Sequence, residues 1–81
     1  MQRLGRLEQA VEHYRKALAR TPEAADVLNN LGAALVLLER LSEAVAHYRE
    51  AVRLNPASDE VRENLQRALT AMRRNRAGRT P

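Results

Sequence analysis

The chain has 81 residues, a formal net charge of +4, two Tyr, and no Phe, Trp or Cys. That length makes one domain near the size at which a single core is only marginally stable, and the core must come from Leu, Val and Ala. The lack of Cys excludes disulfides, thiolate chemistry and Cys-based zinc motifs, and six of the fourteen basic residues fall after Val61 with Glu63 as the single acid among them, a near-neutral body with a basic end.

Taken in chain order, apolar residues recur at a helical period of 3.6. A first helix is expected over about 7–19, with Leu7, Ala10, Val11, Tyr14, Ala17 and Leu18 on one stripe. Gly5 sits before it, where a left-handed turn residue costs little. Thr21-Pro22 ends that helix. A second is expected over about 24–38, carrying Val27, Leu28, Leu31, Ala34, Leu35 and Leu38, with Val36 and Leu37 widening the apolar arc at its end. It contains the longest uncharged run, Val27 to Leu38, which is too short to span a bilayer.

A third helix, about 42–54, carries Ala44, Val45, Tyr48, Ala51 and Val52, with Ser42 as an expected N-cap. Asn55-Pro56 ends it. A fourth, about 58–74 with Ser58 as N-cap, carries Val61, Leu65, Ala68, Leu69 and Met72. Residues 75–81 have nothing to pack and are expected to be disordered. No strand alternation is visible, nor a signal-peptide pattern. The compartment is not legible and is taken as cytoplasmic by default.

The chain repeats itself at a shift of thirty-four. Leu4, Arg6, Leu7, Ala10, Val11, His13, Tyr14, Arg15, Ala17 and Pro22 recur as Leu38, Arg40, Leu41, Ala44, Val45, His47, Tyr48, Arg49, Ala51 and Pro56. That is ten identities in twenty-four positions, where chance gives about one in ten. Val27, Asn30, Leu31, Ala34 and Leu35 recur in turn as Val61, Asn64, Leu65, Ala68 and Leu69. A period in this range means stacked helical units, none of which buries its apolar face alone.

Leu28, Leu31, Gly32 and Leu35, followed by Ala44, Tyr48, Ala51 and Pro56, resemble the signature of a tetratricopeptide repeat. Leu28 stands where the family has Trp and Leu35 where it has Tyr. The resemblance covers about residues 4–72 and implies an all-α, helix-turn-helix repeat solenoid of four antiparallel helices. In the family's terms these are a B helix, one complete A–B pair, and a terminal A-like helix. Both ends are out of register with the repeat unit by half a unit, as in an excerpt of a longer array or a protein that completes itself by association.

The resemblance implies a scaffold that binds a peptide or partner protein on the concave face lined by A helices. On the second helix that face includes Asp26, Asn29, Asn30, Ala33 and Val36. On the fourth it includes Glu60, Glu63, Asn64, Arg67 and Thr70. Asn30 and Asn64 resemble the asparagine ladder in the repeats of O-linked N-acetylglucosamine transferases, where an amide holds a peptide backbone. A carboxamide suits that task because it offers both a donor and an acceptor. The Lys and Arg set of the family's chaperone-tail clamp is not in place.

The second functional expectation is self-association. Leu7, Ala10, Tyr14 and Ala17 lack the helix that precedes them in a full repeat, and Val61, Leu65, Leu69 and Met72 lack the one that follows. The fourth helix of one chain has the general shape of the helix missing before the first helix of another. A homo-oligomer is therefore expected, either a closed two-fold dimer, which is favoured, or an open superhelical stack, between which the sequence does not choose. His13 and His47 lack metal-ligand spacing and read as structural or solvated. The two Tyr read as core. No phosphate loop, nucleophile or paired acid and base is present, so no catalytic residue, metal or cofactor is assigned. Arg73, Arg74, Arg76 and Arg79 could contact phosphates, but no aromatic interleaves them for base stacking, and nucleic-acid contact by this basic tail is kept only as a remote third alternative.

Overall fold

The computed structural model describes the chain from Gln2 to Arg79, with side chains from Leu4 to Arg76. Four helices follow one another, α1 (Gln2–Arg20), α2 (Ala25–Leu37), α3 (Leu41–Leu54) and α4 (Asp59–Arg79). Turns of three or four residues join them, so each packs antiparallel on the next. No strand occurs among the described residues. Helix α2 is the hub, meeting α1, α3 and α4.

The turns are built from local chemistry. At Thr21–Ala24 and Asn55–Ser58 the fourth N–H donates to the first carbonyl at 3.2 Å, with Pro22 and Pro56 at the second position. Proline's fixed φ suits that place in a β-turn. Ser58 Oγ then accepts the Val61 N–H at 3.3 Å and caps α4. Ser42, in contrast, lies inside the first turn of α3, whose N-cap is Arg40 without a side-chain bond.

Between α2 and α3 the Arg40 N–H donates to the Leu35 carbonyl at 2.8 Å and the Glu39 N–H to the Val36 carbonyl at 2.9 Å. This is a Schellman ending, and it places Glu39 in the left-handed region at φ 61°. Glycine usually fills that position. Gly5, one repeat earlier, does not form a matching turn: α1 already begins at Gln2, and Gly5 lies within it. A lone Gly costs a helix about 1 kcal/mol, which its Gln, Arg and Leu neighbours offset.

The core forms on both sides of α2. Leu31 and Leu35 are fully buried with Val11, Ala34, Ala44, Val45, Tyr48 and Ala68, while Leu28, Ala51 and Val61 form a second cluster. Gly32 explains the tight α2–α3 pairing. A Cβ there would lie 2.6 Å from Tyr48 Cε1, so the ring occupies the space a side chain would need. Burial also pushes the Tyr48 hydroxyl above its ordinary pKa.

The elements follow the expected order and spacing. The C-terminus differs: α4 continues to Arg79 rather than ending at residue 74, so the segment expected to be disordered is helical that far. Arg and Ala are good helix formers, and no Pro interrupts before Pro81. Residues 80 and 81 lie outside the described residues.

Candidate binding face

Three neighbours cover most of α2, and what they leave open defines a surface. Asp26, Asn30, Ala33 and Leu37 are all exposed, at intervals of four, three and four residues that place them on one stripe. Leu37 is 61% exposed, a large apolar side chain held in water. The sequence alone assigned it to the apolar arc. Its position opposite Leu28, Leu31 and Leu35 on the helical wheel was the available signal that it faces outward.

Alongside this stripe runs the matching side of α4. Glu60, Glu63, Arg67 and Thr70 are exposed and Asn64 is half-buried. Asn64 Nδ2 donates to Asn29 Oδ1 at 2.9 Å, a bond that crosses the seam between α2 and α4. Asn30 and Asn64 are equivalent in sequence but not in setting: Asn30 stands free in the stripe, whereas Asn64 spends one donor on its neighbour. Asn64 keeps its carbonyl oxygen and one N–H, and Asn29 keeps its amide donors, so the pair still offers both kinds of hydrogen bond. The face thus brings together Asn29, Asn30, Ala33, Glu63, Asn64 and Arg67. Val36 is half-buried and packs on the core.

The two ends of the molecule compare directly with its centre. In α3, Ala44, Tyr48 and Ala51 are buried beneath α2; one repeat earlier Ala10, Tyr14 and Ala17 of α1 are half-exposed. Leu7 and Tyr14 nevertheless pack partly on the main cluster. Val61, expected to remain open, is only 5% exposed, because α4 seats it against Leu28 and Ala51. Leu65, Leu69 and Met72 are half-buried against the main cluster.

The outer side of α4 has also changed chemically. Where α2 has Leu28 and Gly32, α4 has Arg62 and Gln66, both exposed. The space opposite Gly32 has no room even for a methyl group. Gln66 on α4 differs in size from Gly32 at the position that meets Tyr48 in the complete helix pair.

On the opposite side, an ion network ties α1 to α3, whose backbones stay apart. Arg40 Nε and Nη2 donate to the two Glu43 carboxylate oxygens at 2.8 and 3.0 Å, Arg15 Nη2 reaches Glu43 at 3.2 Å, and Arg40 Nη1 lies 3.6 Å from Glu8. The hydrogen bonds from Arg40 hold the Glu43 carboxyl below its ordinary range against the opposing effect of burial. Beside it His47 is half-buried, and burial, helped by Arg15, lowers its pKa. His13 is exposed, with its ring edge-on to Tyr14. No group of metal-binding side chains converges among the described residues, and no helix is long and apolar enough to cross a membrane.

A family model described as Tetratricopeptide repeat matches residues 2–59. No match is found among curated proteins. Tetratricopeptide repeats generally mediate protein–protein interaction. The thirty-four-residue helical repeat, the glycine-to-tyrosine contact of its complete helix pair and a family match over more than half of the sequence lead to one assignment: the chain belongs to the tetratricopeptide-repeat family.

Proposed function

We propose that this chain is a protein-interaction scaffold that holds an extended peptide segment of its partner along the α2–α4 face. The observation that carries the reading is the stripe Asp26, Asn30, Ala33 and Leu37, which α1, α3 and α4 all leave open. It lies beside two amides fixed by their mutual hydrogen bond. Such amides hold a peptide backbone without reading its side chains, and an ordered polar pair loses little entropy on binding. Selection of binders from a random-peptide display library against the immobilised chain tests this. Binders whose affinity falls by about 1–2 kcal/mol with Asn30→Ala support it. Binders indifferent to Asn30→Ala and Leu37→Ser contradict it.

Self-association is a second reading, favoured by the half-exposed Ala10, Tyr14 and Ala17 of α1. Buried apolar side chains contribute about 1.5–3 kcal/mol each, so a partly open face favours a covering helix. A closed dimer is the simplest product, formed through α1 rather than by placing α4 as α2 is placed. Sedimentation equilibrium separates the outcomes. A concentration-dependent dimer that Ala17→Glu dissociates while leaving helicity intact supports this reading, and a monomer at all concentrations excludes it.

A further inference from the structure

The face described above has a direction, set by charge. At the N-terminal ends of α2 and α4 it carries Asp26, Glu60 and Glu63; toward their C-terminal ends it carries Arg67 and Arg74. Between them the amides of Asn29, Asn30 and Asn64 are neutral. Neither arginine has an ion-pair or hydrogen-bond partner among the described residues, in contrast to Arg15, Arg40, Arg53 and Arg62, which all pair with carboxylates. Two cations without partners follow carboxylates that make no ion pair among the described residues, Asp26 accepting only the Val27 N–H, so charge along the face passes from negative to positive.

Apolar surface lies within the basic half. Leu37 is eight residues beyond Asn29, and Met72 is eight beyond Asn64. Since Asn29 and Asn64 are bonded and the helices run parallel, Leu37 lies level with Ala71 and Met72. A shallow depression of about 560 Å³ runs along α4 there, lined by Arg67, Thr70, Ala71 and Arg74 together with Gln66 and Asn75. The two arginines are seven residues apart on one helix, a span of about 10 Å. In an extended peptide, alternate side chains share a face and repeat every ~7 Å. Acidic residues two positions to either side of an apolar side chain are thus ~14 Å apart, about 4 Å more than the arginine backbone positions, a difference that two long arginine side chains splaying outward can span.

Resting on the scaffold reading above, we propose that the C-terminal half of the face selects an extended acidic segment. An apolar side chain packs on Leu37 and Ala71, and flanking carboxylates pair with Arg67 and Arg74. The acidic segment lies toward the C-terminal ends of α2 and α4, away from Glu60 and Glu63. A nucleic-acid strand is disfavoured at the same place: charged at every nucleotide, it would have to continue past the two arginines over Glu63 and Glu60, and no aromatic side chain is there to stack on bases.

The test uses the full chain, isotope-labelled, titrated with the peptide Gly-Glu-Ser-Leu-Ser-Glu-Gly and followed by backbone amide shifts. Matched probes replace both Glu by Gln, both Glu by Lys, or Leu by Ser, and a single-stranded oligonucleotide serves as the phosphate probe. Shifts centred on Leu37, Arg67, Ala71 and Arg74 are expected with the acidic peptide. Its affinity should fall about three- to ten-fold in the Arg67→Gln, Arg74→Gln double variant and decline as salt rises. Leu37→Ser should weaken it too, whereas Lys16→Gln on α1 should not.

Equal binding of the Gln or Lys peptide on this face would overturn the acidic selectivity and leave the scaffold reading standing. Shifts confined to α1 and α3 would overturn both. Tighter binding of the oligonucleotide at Arg67 and Arg74, or no shift with any probe at millimolar concentration, would also overturn the proposal. The variants' unchanged helical circular dichroism distinguishes lost binding from lost fold, since all the substituted side chains are exposed.

Discussion

At the residue scale, two positions carry opposite consequences of a glycine. Gly32 is required by contact: its Cβ would fall within 2.6–2.9 Å of three ring atoms of Tyr48. Gly32→Ala should therefore cost about 1–3 kcal/mol in urea unfolding. The loss should shrink in a Tyr48→Leu background, where the ring is gone; an undiminished loss would mean the clash is not the cause. Glu39 is the converse, a non-glycine held at φ 61° by the hydrogen bonds that close α2. Glu39→Gly should stabilise the protein by about 0.5–1 kcal/mol, the relief of the left-handed conformation less the added entropy of the unfolded chain. The Asn pair divides structure from binding. Asn29→Ala removes the acceptor of the half-buried Asn64 amide and should cost about 0.5–1.5 kcal/mol of stability. Asn30→Ala, in the open stripe, should leave the thermal midpoint unchanged.

At the scale of elements, helix periods made all four helices legible, and Pro marked two of the three turns; the α2–α3 break, closed by backbone hydrogen bonds at Glu39 and Arg40, carries no Pro. The start of α1 and the end of α4 were less legible, since no local signal opposed extension: Gly5 is a single weak breaker, and no Pro falls between Ser58 and Pro81. Charge pairing between helices was not legible for a related reason: Glu8 and Arg15 reach Arg40 and Glu43 from α1. Contacts twenty-eight or more residues away have no helical period to reveal them.

That network has a pH signature. Burial lowers the His47 pKa from 6.5, so the unfolded chain takes its proton first and binds more protons on acidification. Its contribution to stability is present above about pH 6.5 and declines as pH falls through the depressed folded value. The Glu43 carboxyl acts in the same sense from 4.5 downward, where protonation breaks its bonds to Arg40 and Arg15. Urea midpoints measured between about pH 7.5 and pH 5.5 should fall, and His47→Gln should flatten the decline. An unchanged slope in the variant would exclude His47 as its source. Glu43→Gln should destabilise at low salt and much less at high salt, because the network is exposed and screened.

At the scale of the whole molecule, the internal repeat serves as its own control. The same sequence positions are buried in α3 and half-exposed in α1, so the difference reports the cover that α3 has from α2 and α4 together and that α1 has from α2 alone. The repeat also shows where equivalence stops. Asn30 and Asn64, or Gly32 and Gln66, match in register but sit in different surroundings, which a shift of the sequence against itself cannot display. For assembly this predicts a specific gain. Gln66→Gly restores on α4 the small residue that α2 uses against tyrosine, and it should strengthen any association between α4 of one chain and α1 of another. Analytical ultracentrifugation of this variant beside the parent checks it, and equal sedimentation at all concentrations would show that α4 and α1 do not meet in this manner.

The central claim is that partners bind along the stripe of α2 and α4 rather than at the open end of α1. Backbone amide shift mapping of the full chain with a peptide from the display selection tests it most directly. Perturbations concentrated at Asp26, Asn29, Asn30, Ala33, Leu37, Asn64 and Arg67 are the expected result, and perturbations centred on Ala10, Tyr14 and Ala17 with that stripe unmoved would contradict it.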